Sequence, residues 1–267
     1  RLTRGQLRRM YSTRYPRSNL TIAAVGDLNL DQLPQRLETL FRKEKPPSGA
    51  AAKPLRLPRM DGRRRAVFWS LPREQAHLVI GFPGVTLSDP DRYPLEILAQ
   101  LLSGQGGRLF TEVREKRGLV YSIGAFSLEG LDPGYFAVHA ATSPDSVPAV
   151  VGQIRQELAR IIDEGGVSQA ELQRVQRHLI GAHAIGLQRR SALAATLAFR
   201  EAYGLGWQSY REYADRLREV KVADLARVAQ KYWDPKREVL SVVGPQKALS
   251  QWGSEIAQGA AQEFHQP

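Results

Sequence analysis

Two polar side chains seven residues apart, Arg114 and Tyr121, are the groups in this 267-residue sequence best suited to chemistry. They lie in the stretch 103–128, whose pattern predicts a glycine-rich turn, a short basic helix, a glycine stop and a strand. An arginine at a helix end and a tyrosine at the start of the next strand can converge on one point. A guanidinium fork and a phenol both donate hydrogen bonds, which suits a peptide carbonyl that becomes an oxyanion. Residue type alone more often means a solvated arginine and a core tyrosine with a wet hydroxyl.

The elements that must position this pair follow from the apolar spacing. A helix from about Gly107 to Lys116 places Leu109, Phe110 and Val113 on one face, and Gly118 ends it, because glycine is the usual residue at a helix C-terminal cap. Residues 121–128 and 134–142 then alternate as the two strands of a hairpin.

The other apolar patterns predict a chain in which consecutive strands precede consecutive helices. This order favours an α+β fold with a mostly antiparallel sheet and helices packed on one face. Further strands are predicted over 19–25, 65–71, 77–83 and 238–243, and helices over 3–14, 31–43, 91–103, 145–163, 168–185, 190–203, 207–217 and 222–232.

The beginning and the end of the chain resemble each other at a shift of 218 residues, which indicates a duplicated module. Both segments run from a helix through an aromatic residue and a proline to a β-branched strand that ends in Val-Gly. We therefore predict that residues 1–43 end a preceding module that is mostly absent. Residues 44–61 are predicted to be a Pro-, Ala- and Lys-rich linker, 62–246 a complete second module and 247–267 a tail.

Composition narrows the function classes. The chain has no cysteine, which excludes disulfides, thiolate nucleophiles and cysteine-ligated zinc, and no apolar run is long enough to cross a bilayer. The net charge of +11 comes from residues 1–73, with 17 Lys and Arg against 5 Asp and Glu. This basic arm has no interleaved aromatics, so a solvated linker is favoured over a nucleic-acid site.

Residues 103–125, SGQGGRLFTEVREKRGLVYSIGA, closely resemble the signature of the pitrilysin-like zinc peptidases, the peptidases with an inverted H-x-x-E-H motif. The chain looks most like the C-terminal half of a bacterial two-module member. In that family the second half supplies an Arg and a Tyr that hold the substrate and stabilise the oxyanion, and Arg114 and Tyr121 match those positions. The resemblance adds Gly106 and Gly107 to the substrate-binding residues.

The resemblance also implies a zinc endopeptidase whose metal lies in the other half of the protein. In the family the first half carries zinc on the H-x-x-E-H helix, and none of the five histidines here forms that motif. We therefore expect that this chain binds no catalytic zinc and is inactive alone. Its expected partners are the zinc-bearing N-terminal module, in the same protein or as a subunit, and a peptide substrate.

Several alternatives stay open at this level. Family members without a metal site serve as non-catalytic scaffold or peptide-binding subunits, and a peptide-binding scaffold could also use Arg114 and Tyr121. The free edge of the sheet could take up an extended peptide as an added strand. The sequence leaves open a dimer, a periplasmic or a cytoplasmic location, and the cleavage preference.

Overall fold

The computed structural model describes residues 2–15, 20–29, 31–41, 64–163, 166–245 and 252, and the backbone of residues 261–265. These residues contain strands β1 to β6, which are Arg65–Ser70, Ala76–Pro83, Val120–Leu128, Tyr135–Thr142, Val239–Gly244 and Ala261–His265. Helices α1 to α8 are Arg4–Arg14, Leu33–Phe41, Arg92–Leu102, Val147–Ile162, Gln169–Gly186, Arg190–Ala202, Tyr213–Glu219 and Val222–Tyr232. A π-helix spans Phe110–Glu115, and short 3-10 helices span Pro144–Ser146, Trp207–Glu212 and Pro235–Arg237.

The strands form one mixed sheet in the order β3-β4-β2-β5-β1-β6. The pairs β3/β4, β4/β2 and β2/β5 are antiparallel, whereas β5/β1 and β1/β6 are parallel. The prediction of an α+β fold with a mostly antiparallel sheet is confirmed. Strand β3, which carries Tyr121, lies at one edge of this sheet.

Side-chain alternation gives the sheet one closed face. Burial alternates along β1, β2 and β5, as expected for strands with one covered side. The covered side packs against buried residues of α3, α4 and α8, and the ring of Phe136 on β4 lies 4.8 Å from the ring of Trp233, which follows α8. The helices predicted to cover one face of the sheet therefore supply the core.

The chain divides into two compact units, one of Arg1–Pro58 with Ala182–Glu212 and one of Arg59–Gly181 with Tyr213–Pro267. In the first unit, Thr3 caps α1 through a capping box with Gln6. Helices α1 and α8 have bounds that differ by 218 residues, the shift at which the two ends of the sequence match. The boundaries of a duplicated module remain a prediction.

Several parts of the chain differ from the sequence-based prediction. Residues 20–25, predicted as part of a strand over 19–25, do not form one and pair with none of the described strands. The helix predicted over 207–217 divides into the 3-10 helix and α7. The patternless C-terminal stretch contributes the buried Trp252, whose indole donates to the carbonyl of Pro144 at 3.0 Å, and strand β6.

A buried carboxylate, Asp91, fastens the start of α3 to α8. Its oxygens accept hydrogen bonds from Arg227 at 2.8 Å, Lys231 at 2.7 Å and the Tyr232 hydroxyl at 3.1 Å. Asp91 is only 6% exposed, so the attraction is weakly screened and the carboxylate depends on these donors. A second buried carboxylate, Glu238 before β5, is held in the same way by Arg64 and Arg155.

We predict that Asp91→Asn lowers the free energy of unfolding by about 2 kcal/mol, because an amide cannot accept three charge-assisted hydrogen bonds. The measurement is urea-induced unfolding followed by circular dichroism. The matched control is Asp215→Asn, which removes a surface ion pair with Arg218 at a side chain 74% exposed and should cost well under 1 kcal/mol. Equal effects of the two substitutions would show that Asp91 does not fasten α3 to α8.

Candidate active site

The backbone that carries Arg114 is a π-helix and not the α-helix that the sequence predicts. The amide of Lys116 bonds the carbonyl of Thr111 at 3.1 Å, one residue further back than in an α-helix. Leu109 and Val113 are fully buried in the core, which fixes this wide turn against the sheet. Arg114, which follows Val113, is therefore directed to solvent.

The start of this helix is held by an ion pair. Arg108 donates two hydrogen bonds of 2.9 Å to the carboxylate of Glu171 and a third to the carbonyl of Gly166. Glu171 also completes the capping box of α5 by accepting from the amide of Ser168. Arg108 and Glu171, here called the clamp, thus join the π-helix segment to the start of α5.

The end of the helix is held by backbone hydrogen bonds. Gly118 adopts a left-handed φ of 61° and donates to the carbonyl of Arg114 at 3.0 Å, while Leu119 donates to the carbonyl of Val113 at 3.1 Å. The hydroxyl of Thr142 on β4 bonds the carbonyl of Leu119. The position at which β3 begins is therefore fixed from β4 as well as from the π-helix.

Tyr121 is the extra residue of a β-bulge. Val120 lies opposite Thr142 and Ser122 opposite Ala141, so Tyr121 has no partner of its own in the ladder. A bulge bends its strand and re-aims a side chain, and it is often found beside active sites. Tyr121 is accordingly 72% exposed although it belongs to a strand of the sheet.

Arg114 and Tyr121, separated by seven positions in the sequence, are brought together. The guanidinium carbon of Arg114 lies 5.9 Å from the centre of the Tyr121 ring and 4.9 Å from the centre of the Phe110 ring. Among the described residues, neither the guanidinium nor the phenol has a hydrogen-bond or ion-pair partner, in contrast to Arg108 and Lys116 nearby. Two donors thus lie side by side at the surface with their hydrogen-bonding capacity available to a ligand.

Phe110 belongs to this site, although the sequence pattern assigns it to the core. Its neighbour Leu109 is fully buried, whereas Phe110 is half-buried and its ring contacts the Arg114 guanidinium. This cation–π contact restricts the arginine to the side of the helix nearest Tyr121. The four-residue spacing between Phe110 and Arg114, usual for neighbours on a helix, was the available signal.

The two glycines of the predicted site have different surroundings. Gly107 is buried, and a side chain there would place its first carbon 2.2 Å from the carbonyl oxygen of Ser103, so the turn requires glycine. Gly106 is exposed beside Arg174. A substrate-binding role for either glycine remains a prediction, and the geometry gives Gly107 a reason in packing.

The edge of β3 is partly closed. Ser103, at the end of α3, accepts a hydrogen bond from the amide of Ala125 at 2.6 Å and donates one to its carbonyl at 2.7 Å. The hydroxyl thus occupies the outward backbone groups of Ala125, where a peptide strand would have to pair. A peptide strand therefore could not pair with β3 along its whole length, because Ser103 blocks pairing at Ala125.

The described residues contain no group of three or more His, Asp or Glu side chains that could hold a metal ion. His77 and His139 lie on neighbouring strands of the sheet, opposite Ala141 and Val79 respectively, and no carboxylate completes a ligand set with them. The residues that the structure describes therefore do not fit a zinc site.

Comparison with known proteins agrees with the fold and with the signature. A family model described as the peptidase M16 inactive domain matches residues 1–179. The chain belongs to the M16 peptidase family, as its C-terminal inactive domain, and the resemblance predicted from residues 103–125 is confirmed.

Relatives of this chain are bacterial proteins named zinc proteases. An uncharacterized zinc protease of Streptomyces coelicolor is 32% identical over 253 residues, which cover 92% of this chain and 54% of that protein. An uncharacterized zinc protease of Mycobacterium bovis is 26% identical over 255 residues, which cover 91% of this chain and 56% of that protein. The chain thus spans about half the length of these curated relatives.

Solved structures share the fold. A protease from Helicobacter pylori superposes with a TM-score of 0.80 at 21% identity, over 91% of this chain and 60% of that one. A peptidase M16 inactive domain from Pseudomonas fluorescens superposes with a TM-score of 0.78 at 23% identity, over 92% of this chain and 58% of that one. Within the described residues, no helix is long and apolar enough to span a bilayer.

We predict that the clamp makes stability depend on pH in the acid range. Burial raises the pKa of Glu171, but hydrogen bonds from Arg108 and Ser168 outweigh it and lower the pKa from 4.5 to about 2. The stabilisation, about 2 kcal/mol, is therefore complete above pH 4.5 and is lost as the pH falls toward 2.

The measurement is the difference in unfolding free energy between the natural chain and Glu171→Gln, from pH 7 down to pH 3. The difference should shrink below about pH 4.5. Glu219→Gln, which alters an exposed pair with Arg216, should change stability little throughout. A difference for Glu171→Gln that stays constant with pH would contradict the account of the clamp.

Proposed function

We propose that this chain is the module of a zinc endopeptidase that binds the peptide and stabilises the oxyanion. The observation that carries the proposal is the exposed pair Arg114 and Tyr121. The guanidinium carbon lies 5.9 Å from the centre of the tyrosine ring, and neither group has a competing hydrogen-bond partner among the described residues. Membership of the M16 family and the names of the relatives support peptide hydrolysis as the reaction of the intact protein.

The geometry suits a carbonyl oxygen better than a charged substrate group held in a closed pocket. Arg114 offers a planar fork of N–H donors and Tyr121 one O–H donor, and the two exposed groups are neighbours. As a peptide carbonyl becomes tetrahedral, its oxygen gains negative charge, and both donors then bind it more strongly than they bind the ground state. The metal of the intact protein would be held by the preceding module, with which this chain would pair.

The irregular backbone serves this role because it limits motion. The π-helix is held by the clamp at one end and by Gly118 at the other, and the bulge is held by Thr142. Donors that are already positioned need no rearrangement as charge develops, which is the source of their effect on rate.

In the full-length protein, we expect Arg114→Ala to lower kcat for a fluorogenic peptide by about 10²- to 10³-fold, and Tyr121→Phe by about 10- to 10²-fold. KM should change far less, because the hydrogen bonds strengthen in the transition state. Steady-state hydrolysis measures both constants.

Lys116→Ala is the matched control, since it removes a nearby cation whose exposed pair with Glu112 has no place in the proposed site. It should leave kcat within about twofold. If Arg114→Ala and Tyr121→Phe left kcat unchanged, or if Lys116→Ala lowered it equally, the pair would not stabilise the oxyanion and a non-catalytic scaffold would be the better account.

A further inference from the structure

In the described part of the chain, the face of the sheet opposite α3, α4 and α8 carries exposed side chains, and it continues from the bulge at Tyr121. Register places the residues of this face in rows across the strands. Beside Tyr121 the row runs from Ser122 through Ala141, His77 and Val243 to Trp69, and the rows further along β3 run through His139 and Phe126. Val79 and Phe126 are each 38% exposed, so this apolar surface is accessible.

Three aromatic rings form a cluster on this face. The Phe126 ring lies 5.7 Å from the ring of Tyr135, edge to face, and 6.0 Å from the ring of His139. Phe126 is opposite Ala137, which lies between Tyr135 and His139 on β4 and is only 1% exposed. The three rings therefore cover Ala137.

Gly81 lies beside the rings and has no side chain, and the gap that this leaves on the face is here called the notch. Gly81 lies opposite Ala137 on one side and Val239 on the other, and it contributes no side chain to the open face. A first side-chain carbon built there would make ordinary contacts of 3.8 and 3.9 Å with the backbone oxygens of Phe136 and Val239, and no described side chain comes within 4 Å of it. The notch is bordered by the aromatic cluster and by Val79.

We propose that this notch binds an aromatic side chain of the peptide, about five residues from the bond that is cleaved. The inference rests on the proposed function, because Arg114 and Tyr121 define where that bond lies. The Phe126 row is five residues along β3 from Tyr121, and Gly81 is two strands across from it. With about 3.3 Å per residue and about 4.8 Å per strand, the separation is roughly 19 Å, the span of about five to six extended residues.

The chemistry of the notch favours an aromatic guest. Aromatic pairs prefer offset or edge-to-face contacts of the kind that Phe126 already makes with Tyr135, and a further ring above Gly81 can extend that arrangement. A shallow, apolar and half-exposed site suits one large side chain of an extended chain, whereas an acidic side chain would lose its hydration there.

The experiment uses peptides in which a single phenylalanine is moved through an alanine- and serine-rich background. For the full-length protein, kcat/KM should be highest when phenylalanine lies about five residues from the cleaved bond, by about tenfold over the alanine peptide. A second readout is fluorescence anisotropy of the same labelled peptides with the 267-residue chain, where the phenylalanine peptides should bind more tightly than the alanine peptide without turnover.

Gly81→Leu fills the notch and should abolish the preference in both readouts. The substitution is compatible with the backbone, because Gly81 is not among the glycines with positive φ. His77→Leu is the matched control, since it adds an apolar side chain to the same face of the same strand about 13 Å away and should keep the preference. If circular dichroism showed that Gly81→Leu unfolds the chain, Phe126→Ala would replace it, with the same expected loss.

The experiments distinguish failure of the proposed oxyanion-stabilising function from failure of the proposed notch. An anisotropy preference that Gly81→Leu removes, with no turnover of any peptide, would reject the proposed function and leave the notch standing. A preference that survives Gly81→Leu and Phe126→Ala, no preference, or an equal loss in His77→Leu would overturn the notch. Dissociation of the preceding module in Gly81→Leu, seen by size-exclusion chromatography, would also overturn it and identify the notch as an intermodule contact.

Discussion

The position of Arg114 and Tyr121 depends on a backbone that is fixed at both ends and irregular between them. The clamp holds the beginning of the π-helix to α5, and Thr142 holds the beginning of β3. Between these anchors the chain accommodates one extra residue in a helical turn and one in a strand. Each insertion moves a polar side chain out of the regular pattern, and together they bring the guanidinium to the phenol.

This arrangement divides the molecule into a side that provides stability and a side that can bind. Helices α3, α4 and α8 close one face of the sheet. The buried carboxylate of Asp91 fastens α3 to α8, and that of Glu238, before β5, binds Arg155 of α4. The opposite face and the bulged end of β3 carry exposed aromatic side chains, among them Trp69, Phe126 and Tyr121. Because the core lies wholly on the first side, side chains on the second can vary with little loss of stability, as a binding surface requires.

Much of the fold could be predicted because local patterns and tertiary structure agree. The apolar spacing of the helices around the sheet and the alternation along β1 and β2 each indicate an element that the structure contains. Residues 20–25 carry the same β-rich composition but form no strand, since a strand also needs a neighbour and composition does not reveal one.

The site could be predicted only in part. The spacing of Arg114 and Tyr121 and the resemblance of the surrounding stretch identify the pair, yet neither the π-turn nor the bulge has a signal in residue type. Phe110 has the apolar character of a core residue, and only the geometry shows that it supports the arginine. Gly81 is invisible in the sequence as a binding feature, because its significance comes from its neighbours across three strands.

The central claim is that this chain completes an active site whose metal lies in another module. The most direct test measures zinc content and peptide hydrolysis for this chain alone, for the preceding module alone and for their mixture. The account predicts stoichiometric zinc on the preceding module and hydrolysis only in the mixture. Hydrolysis by the preceding module at the same rate without this chain, or stoichiometric zinc on this chain alone, would contradict it.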